Sequence, residues 1–277
     1  MKTLCAPTPE LACFGCCPPI RPAHYDPLDF AGSLRREFIE NRRTFLQEGP
    51  RYRPIVGYSC WGLGFLDARG RRAGCLLHPF QNEGRDLRYL IDYGNKCHRE
   101  SCEPSRMFSL LPPEGREFWL PLVRGLNTFL YSSPRANPLF HLMLWGPHVL
   151  EPLRTLAHYM NWTETELLQR HRFLLDSAWP PRTSRYLFRL VLERFPGTTG
   201  SDEPFEELCR ELRRRVLSLP EIRLPHDTLP ESVYTHRLPM EPDFCDFLRL
   251  GLGWRKASPR HAGRIKDRIE EIAKEWG

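Results

Sequence analysis

Hydrophobic positions along the chain fall into two regimes. In the first hundred residues only one stretch has a helical period. Phe30, Leu34, Phe38, Phe45 and Leu46 recur at steps of four or seven, and Gly49-Pro50 supplies a stop. Arg35, Arg36, Arg42 and Arg43 lie off that stripe and read as a solvated face. The segment from Cys60 to Cys75 reads instead as a hairpin. Asp67-Ala68-Arg69-Gly70 has the composition of a type I turn closed by a left-handed glycine. It lies midway between the two cysteines, so a hairpin folded there sets their thiols roughly opposite each other.

The second half reads as helices separated by Pro- and Gly-rich joints. Thr163 and Glu166 form a capping box ahead of Leu167, Leu168, His171, Leu174 and Leu175. Tyr186, Leu187, Leu190, Val191 and Phe195 make a second stripe, ended by Pro196-Gly197. A third helix starts at Ser201 and buries Phe205, Leu208, Cys209, Leu212, Val216 and Leu219. Its acids come first and its arginines later, in keeping with the helix dipole. A last helix opens at Ser258-Pro259 with Ile265, Ile269, Ile272 and Trp276 on one face. Residues 118–131 and 139–159 are apolar enough for buried helices, kinked or broken at Pro147 and Pro152.

The expected fold is therefore mostly α. An irregular Cys-rich module with one small β-hairpin, residues 1–104, precedes an all-helical region, residues 105–277, and the two either stand apart or share one continuous core. At 277 residues the chain is long enough for either arrangement. No window approaches 18 consecutive apolar residues, which argues against a membrane span. The N-terminus lacks the apolar run of a secretory signal, so a cytoplasmic location is expected.

Composition changes this picture at one point. Eight of the 10 cysteines, Cys5, Cys13, Cys16, Cys17, Cys60, Cys75, Cys97 and Cys102, precede residue 103. Disulfides would need an oxidising compartment, to which nothing in the sequence directs the chain. Burial as small apolar side chains suits Cys209, on its helix stripe, and Cys245, between Phe244 and Phe247. It does not suit Cys13, Cys16 and Cys17, which sit among Gly and Pro. Metal ligation does: Cys13-x2-Cys16 is a chelating knuckle, and thiolates are ligands for zinc and for iron–sulfur clusters. Seven or eight thiolates exceed what one tetrahedral zinc needs. Two ions, or an iron–sulfur centre with cysteines left over, would use them. Between Cys75 and Cys97, His78 reads as a loop histidine or a further ligand. Asn82, Asp86 and Arg88 read as a helix start or as a small anion site beside the metal.

Cys-x2-Cys-Cys, then CWGLGFLDARGRRAGCLLHP, then Cys-x4-Cys resembles the YkgJ-like cysteine-cluster family over roughly residues 5–104. The resemblance implies a zinc- or iron-chelating module. It matches Cys13, Cys16 and Cys17 to the last three cysteines of the family's opening group, and Cys60, Cys75, Cys97 and Cys102 to the downstream four. The first cysteine of the opening group falls at Glu10. Cys5 then substitutes, Glu10 ligates through oxygen, or the site uses seven sulfurs.

Three functions compete. The first is a cytosolic metal-binding protein with a structural or sensing cluster, with or without a protein partner. The second is a cluster-dependent enzyme, such as the protein lysine methylase-like transferases whose similar cluster precedes a helical remainder. The third is a zinc-braced nucleic-acid-binding module, suggested by a net charge of +6. Against the third, the basic residues are dispersed among 34 acids. Against an enzyme, the nucleophile-elbow, zincin, phosphate-loop and deaminase motifs are all missing. The thin apolar content of residues 1–104 also suggests that this half depends on metal to fold while the helical half does not.

Overall fold

The computed structural model describes residues 3–15, 17, 25–55, 60–92, 102–194, 202–223 and 231–275. Cys16, Cys97, Phe195, Pro196, Gly197, Ser201 and Trp276 lie outside them. The chain is mostly helical and divides into two compact units, Met1–Leu110 with Leu120–Phe140, and Leu111–Trp119 with His141–Gly277.

The first unit is organised on helix α1 (Phe30–Glu48), capped by the Asp29 side chain on the Gly32 N–H and ended by Gly49 in the left-handed region. Leu34 and Phe38 are fully buried, but Phe30 and Leu46, assigned to the same stripe, are 49% and 65% exposed. The face turned inward is instead completed by polar residues. Asn41 donates to the Leu63 carbonyl at 2.8 Å and Arg42 to the Phe65 carbonyl at 3.0 Å. Arg42 is thus a structural donor, and the guanidinium of Arg35 lies over the Phe129 ring.

Those carbonyls belong to a hairpin of β1 (Leu63–Phe65) and β2 (Ala73–Cys75), antiparallel with Leu63 opposite Cys75 and Phe65 opposite Ala73. The turn falls where the sequence placed it, with Gly70 at φ 63°. The register does not. Asp67 accepts from the N–H groups of Arg69, Arg71 and Arg72, which holds Arg71 in the loop as an extra residue on the returning side. Pairing therefore centres on Arg69, and Cys75 faces Leu63 rather than Cys60. Gly64 allows β1 to lie against α1, since a Cβ there would stand 3.2 Å from the Phe38 carbonyl oxygen.

Leu34, Phe38, Cys60, Leu63, Phe65, Ala73, Leu77 and Ile91 form the apolar core of this unit. The module is thus not short of apolar core. Helix α2 (Glu103–Leu110) follows. After α3 (Pro113–Trp119), which belongs to the second unit, residues 120–140 return to the first through the short helix α4 (Thr128–Tyr131). The division between units falls within α5 (Pro138–Met143).

In the second unit Pro147 starts α6 (Pro147–Tyr159) after Gly146, and Pro152 is carried inside it without a break. The capping box at Thr163 opens α7 (Glu164–Arg170), which ends at His171, earlier than the stripe suggested. Helix α8 (Pro181–Arg194) is the centre of the unit: Tyr186, Leu187, Phe188, Leu190, Val191 and Leu192 are all buried. Around Phe188 pack Trp145 at 4.7 Å, Phe173 at 4.9 Å and Trp179 at 5.0 Å between ring centroids. Helix α9 (Asp202–Ser218) buries Phe205, Cys209, Leu212 and Val216 as its pattern required.

Besides the hairpin foreseen from sequence, the second unit has a separate two-stranded sheet, β3 (Val233–Tyr234) with β4 (Lys256–Ala257). Two-residue strands leave no periodic signal. Between them α10 (Pro242–Asp246) runs into a π-helical turn, Phe247–Gly251; after β4, α11 (Pro259–Lys274) buries Ile265, Ile269 and Ile272. Around this turn Asp246 accepts salt bridges from Arg182, Arg185 and Arg249 at 3.1, 3.1 and 2.8 Å.

Candidate metal centre

All six described cysteines of the N-terminal group lie in the first unit, in two settings. Cys60 is 5% exposed inside the apolar core, and Cys17 and Cys75 pack against the same core. Cys60 precedes β1, its carbonyl accepting from the Leu63 N–H at 3.0 Å, while Cys75 ends β2. Both therefore sit at the open end of the hairpin.

The second setting is built around Tyr131, at the end of α4 and fully buried. Its hydroxyl donates to the Leu4 carbonyl at 2.6 Å. Burial, and after it the nearby thiols of Cys13, Cys5 and Cys102, push the phenol's ionisation well up. The segment carrying Cys5 and Cys13 folds as two tight turns, bridged Thr3 to Ala6 and Thr8 to Leu11. The Cys13 N–H donates to the Cys5 carbonyl at 2.9 Å. Cys102 stands at the entry to α2, its carbonyl accepting from the Arg106 N–H at 3.1 Å. Three residues later, Ser105 Oγ lies 3.8 Å from Cys5 Sγ.

Tyr131 is one of three hydroxyls, two on α4 and one on its C-cap residue Ser132, that hold this segment. Thr128 Oγ1 donates to the Ala12 carbonyl at 3.1 Å, and Ser132 Oγ accepts from the Phe14 N–H at 3.1 Å. Sequence reading took residues 118–131 only as an apolar helix. Hydroxyls at 128, 131 and 132, an i, i+3, i+4 set on one face, were the available signal. Tyr131→Phe should leave the Leu4 carbonyl buried without its donor, at a cost of about 1–3 kcal/mol. Faster alkylation of Cys5 in the folded protein would report the loosened segment.

The other candidates are accounted for by local structure. His78 Nδ1 accepts from the Phe80 N–H at 3.2 Å and caps a short 3-10 turn. Burial, then the charge of Arg88, lowers its pKa, so it stays neutral in that role. Asn82 donates to the Leu76 and His78 carbonyls. Arg88 grips Asp86 through Nε and Nη2 at 2.8 and 2.6 Å, so its guanidinium already has a carboxylate where an anion was expected.

Cys209 is fully buried, and burial, with Glu206 second, drives its thiol pKa up. Cys245 lies 3.8 Å from the Met240 carbonyl, and burial ahead of Asp246 and Glu241 raises its pKa too. Neither favours the thiolate a metal needs. Cys209→Ala should leave metal content unchanged, which elemental analysis of the variant beside the parent protein would check.

Among the described residues no group of three or more His, Cys, Asp or Glu is disposed to hold a metal ion as placed. Cys16 and Cys97 are not among them. The donor chemistry of the two thiol settings suits zinc or iron–sulfur centres, both of which take thiolate ligands. No family model, curated protein or solved structure matches the chain. The resemblance to the cysteine-cluster family rests on Cys13, Cys16, Cys17, Cys60, Cys75, Cys97 and Cys102 and the hairpin text alone. No described helix is long and apolar enough to cross a membrane.

Proposed function

We propose that the protein is a cytoplasmic metal-binding protein. Its cysteine-rich unit takes zinc or an iron–sulfur centre through thiolates, in a structural or sensing role. The observation that carries this reading is the backbone hydrogen bond that ties Cys13 to Cys5, with Cys5 Sγ 3.8 Å from Ser105 Oγ, three residues after Cys102. Apolar packing explains Cys60; it does not explain Cys5, Cys13 and Cys102 beside a buried phenol. Each ligating thiol gives its proton to solvent as the sulfur–metal bond forms, so occupancy rises with pH.

Elemental analysis of protein purified under argon tests the reading. Zinc at one or two equivalents, or iron with acid-labile sulfide, is the expected result. Protein free of both, even after reconstitution with either, would overturn it. If the metal is structural, chelation should open the cysteine segment to protease. Because the first unit has an apolar core of its own, helix α1 should stay protected, and the helices of the second unit should too.

A further inference from the structure

We infer that the outer surface of the β3–β4 sheet, in the second unit, docks single-stranded nucleic acid, with Tyr234 and His236 as a stacking ledge and Arg237, Arg255 and Lys256 as phosphate partners. The surface uses no metal and none of the cysteines.

The ledge stands on fixed backbone. Tyr234 is paired with Lys256 across the sheet. The next residue, Thr235, is buried; its N–H donates to the Arg255 carbonyl at 3.1 Å and its hydroxyl to the Trp254 carbonyl at 2.7 Å. A 3-10 turn, Thr235–Arg237, follows and ends at Leu238, which is buried too. Pinned at 235 and 238, the chain leaves Val233, Tyr234, His236 and Arg237 outside. The Tyr234 and His236 rings stack, their centroids 5.7 Å apart and their planes 26° from parallel, and Tyr234 keeps 45% of its surface in water. An aromatic ring held exposed on a rigid support offers a face to a base, whatever the base is.

Charge points to the same partner. Lys256 Nζ lies 5.1 Å and the Arg237 guanidinium 5.8 Å from the centre of the Tyr234 ring, and the exposed Arg255 precedes Lys256. Contacts of this kind at an exposed ring are worth about 0.5–1 kcal/mol and bring no counter-charge. Arg43, Arg214 and Arg268, also exposed, each hold a carboxylate three residues away. Arg237 and Arg255 hold none among the described residues. The basic residues are dispersed along the sequence, but the sheet brings residues 237 and 256 to one ring. An anionic membrane would meet the same cations, yet membrane binding scales with buried apolar area. This surface offers two polar-tipped rings and Val233. Two rings suit about two or three bases.

The test is fluorescence anisotropy of the full-length chain with labelled oligouridylate and oligothymidylate, each about 12 nucleotides long, over a range of salt concentrations. At least one strand should bind, and the comparison assigns RNA or DNA as the ligand. The slope of log Kd against log salt should be about 2, at about 0.7 for each of three phosphate contacts on a single strand. Tyr234→Ala should weaken binding by about 10-fold, the loss of one stacked base, and Tyr234→Phe should match the parent. Arg237→Gln and Lys256→Gln should each lower the slope by about 0.7. Arg43→Gln, on α1, should change neither quantity, which separates this surface from the net charge of +6. No binding of either strand at low salt would overturn the inference, as would binding that Tyr234→Ala and Arg237→Gln leave unchanged. Equal or tighter binding of a duplex would overturn it too, since its bases are already stacked on one another. Binding to phosphatidylserine vesicles and to neither strand would put a membrane surface in place of nucleic acid. Each of these failures would leave the metal-binding reading untouched.

Discussion

Asp246→Ala should destabilise the second unit by about 3–5 kcal/mol, the cost of removing one partner from a buried ion pair. Arg185 decides the magnitude. Its side chain is 2% exposed, and its guanidinium reaches Asp246 at 3.1 Å, Asp243 at 2.8 Å and the Leu144 carbonyl at 3.2 Å. Arg182 and Arg249 also lean on Asp246, but at 36% and 38% exposure they can turn to water. Arg185 cannot. Removing the carboxylate leaves its charge inside with Asp243 as the remaining acid of the two. Asp246→Asn, which keeps the shape and one acceptor, should cost less. Replacing the pair together, Arg185→Met with Asp246→Leu, should recover much of the loss, because two desolvated charges leave at once. Urea midpoints at constant m would measure all three. A single-variant loss below about 1 kcal/mol would show that Arg185 finds water or another acceptor.

Phe38→Ala should be as costly for the first unit, about 3–5 kcal/mol. The ring is fully buried and lies 5.3 Å from Phe14, 5.6 Å from Phe65 and 6.0 Å from Phe129, centroid to centroid. These partners come from the cysteine segment, the hairpin and α4, so the cavity would open where all three meet α1. One residue on, Ile39 is 58% exposed, and Ile39→Ala should change stability by less than about 0.5 kcal/mol. Hydrogen exchange at the α1 amides separates the two variants without depending on the rest of the chain. Phe38→Ala should also raise the reactivity of Cys17, which packs on the same core.

How much of this was legible before the fold can be seen residue by residue. The capping box at Thr163, the stripe of α9 and the Ser258 cap were read correctly because each depends on neighbours within a few positions. The turn at Asp67–Gly70 was legible for the same reason. The register beyond it was not: three N–H groups on one Asp67 carboxylate put Arg71 into the loop, and spacing alone does not show that. On α1 the stripe was legible but its depth was not. Asn41 and Arg42 face inward because the carbonyls of β1 need donors, while Phe30 and Leu46, near the two ends of α1, stay largely exposed.

By itself, then, the sequence determined the helical class, the helices of the second half and the concentration of thiols in the first hundred residues. These follow from local periodicity, local capping and composition. Only the tertiary structure decided that residues 120–140 join the first unit, that hydroxyls of α4 hold the cysteine segment, and that Cys5 is tied to the Cys13 backbone and approaches Ser105 while Cys17, Cys60 and Cys75 meet an apolar core. The reason is separation along the chain. Tyr131 and Leu4 are 127 positions apart, and no local preference links them. A buried hydroxyl and a buried carbonyl must each find a partner, and which partner each finds is settled only when the chain has packed.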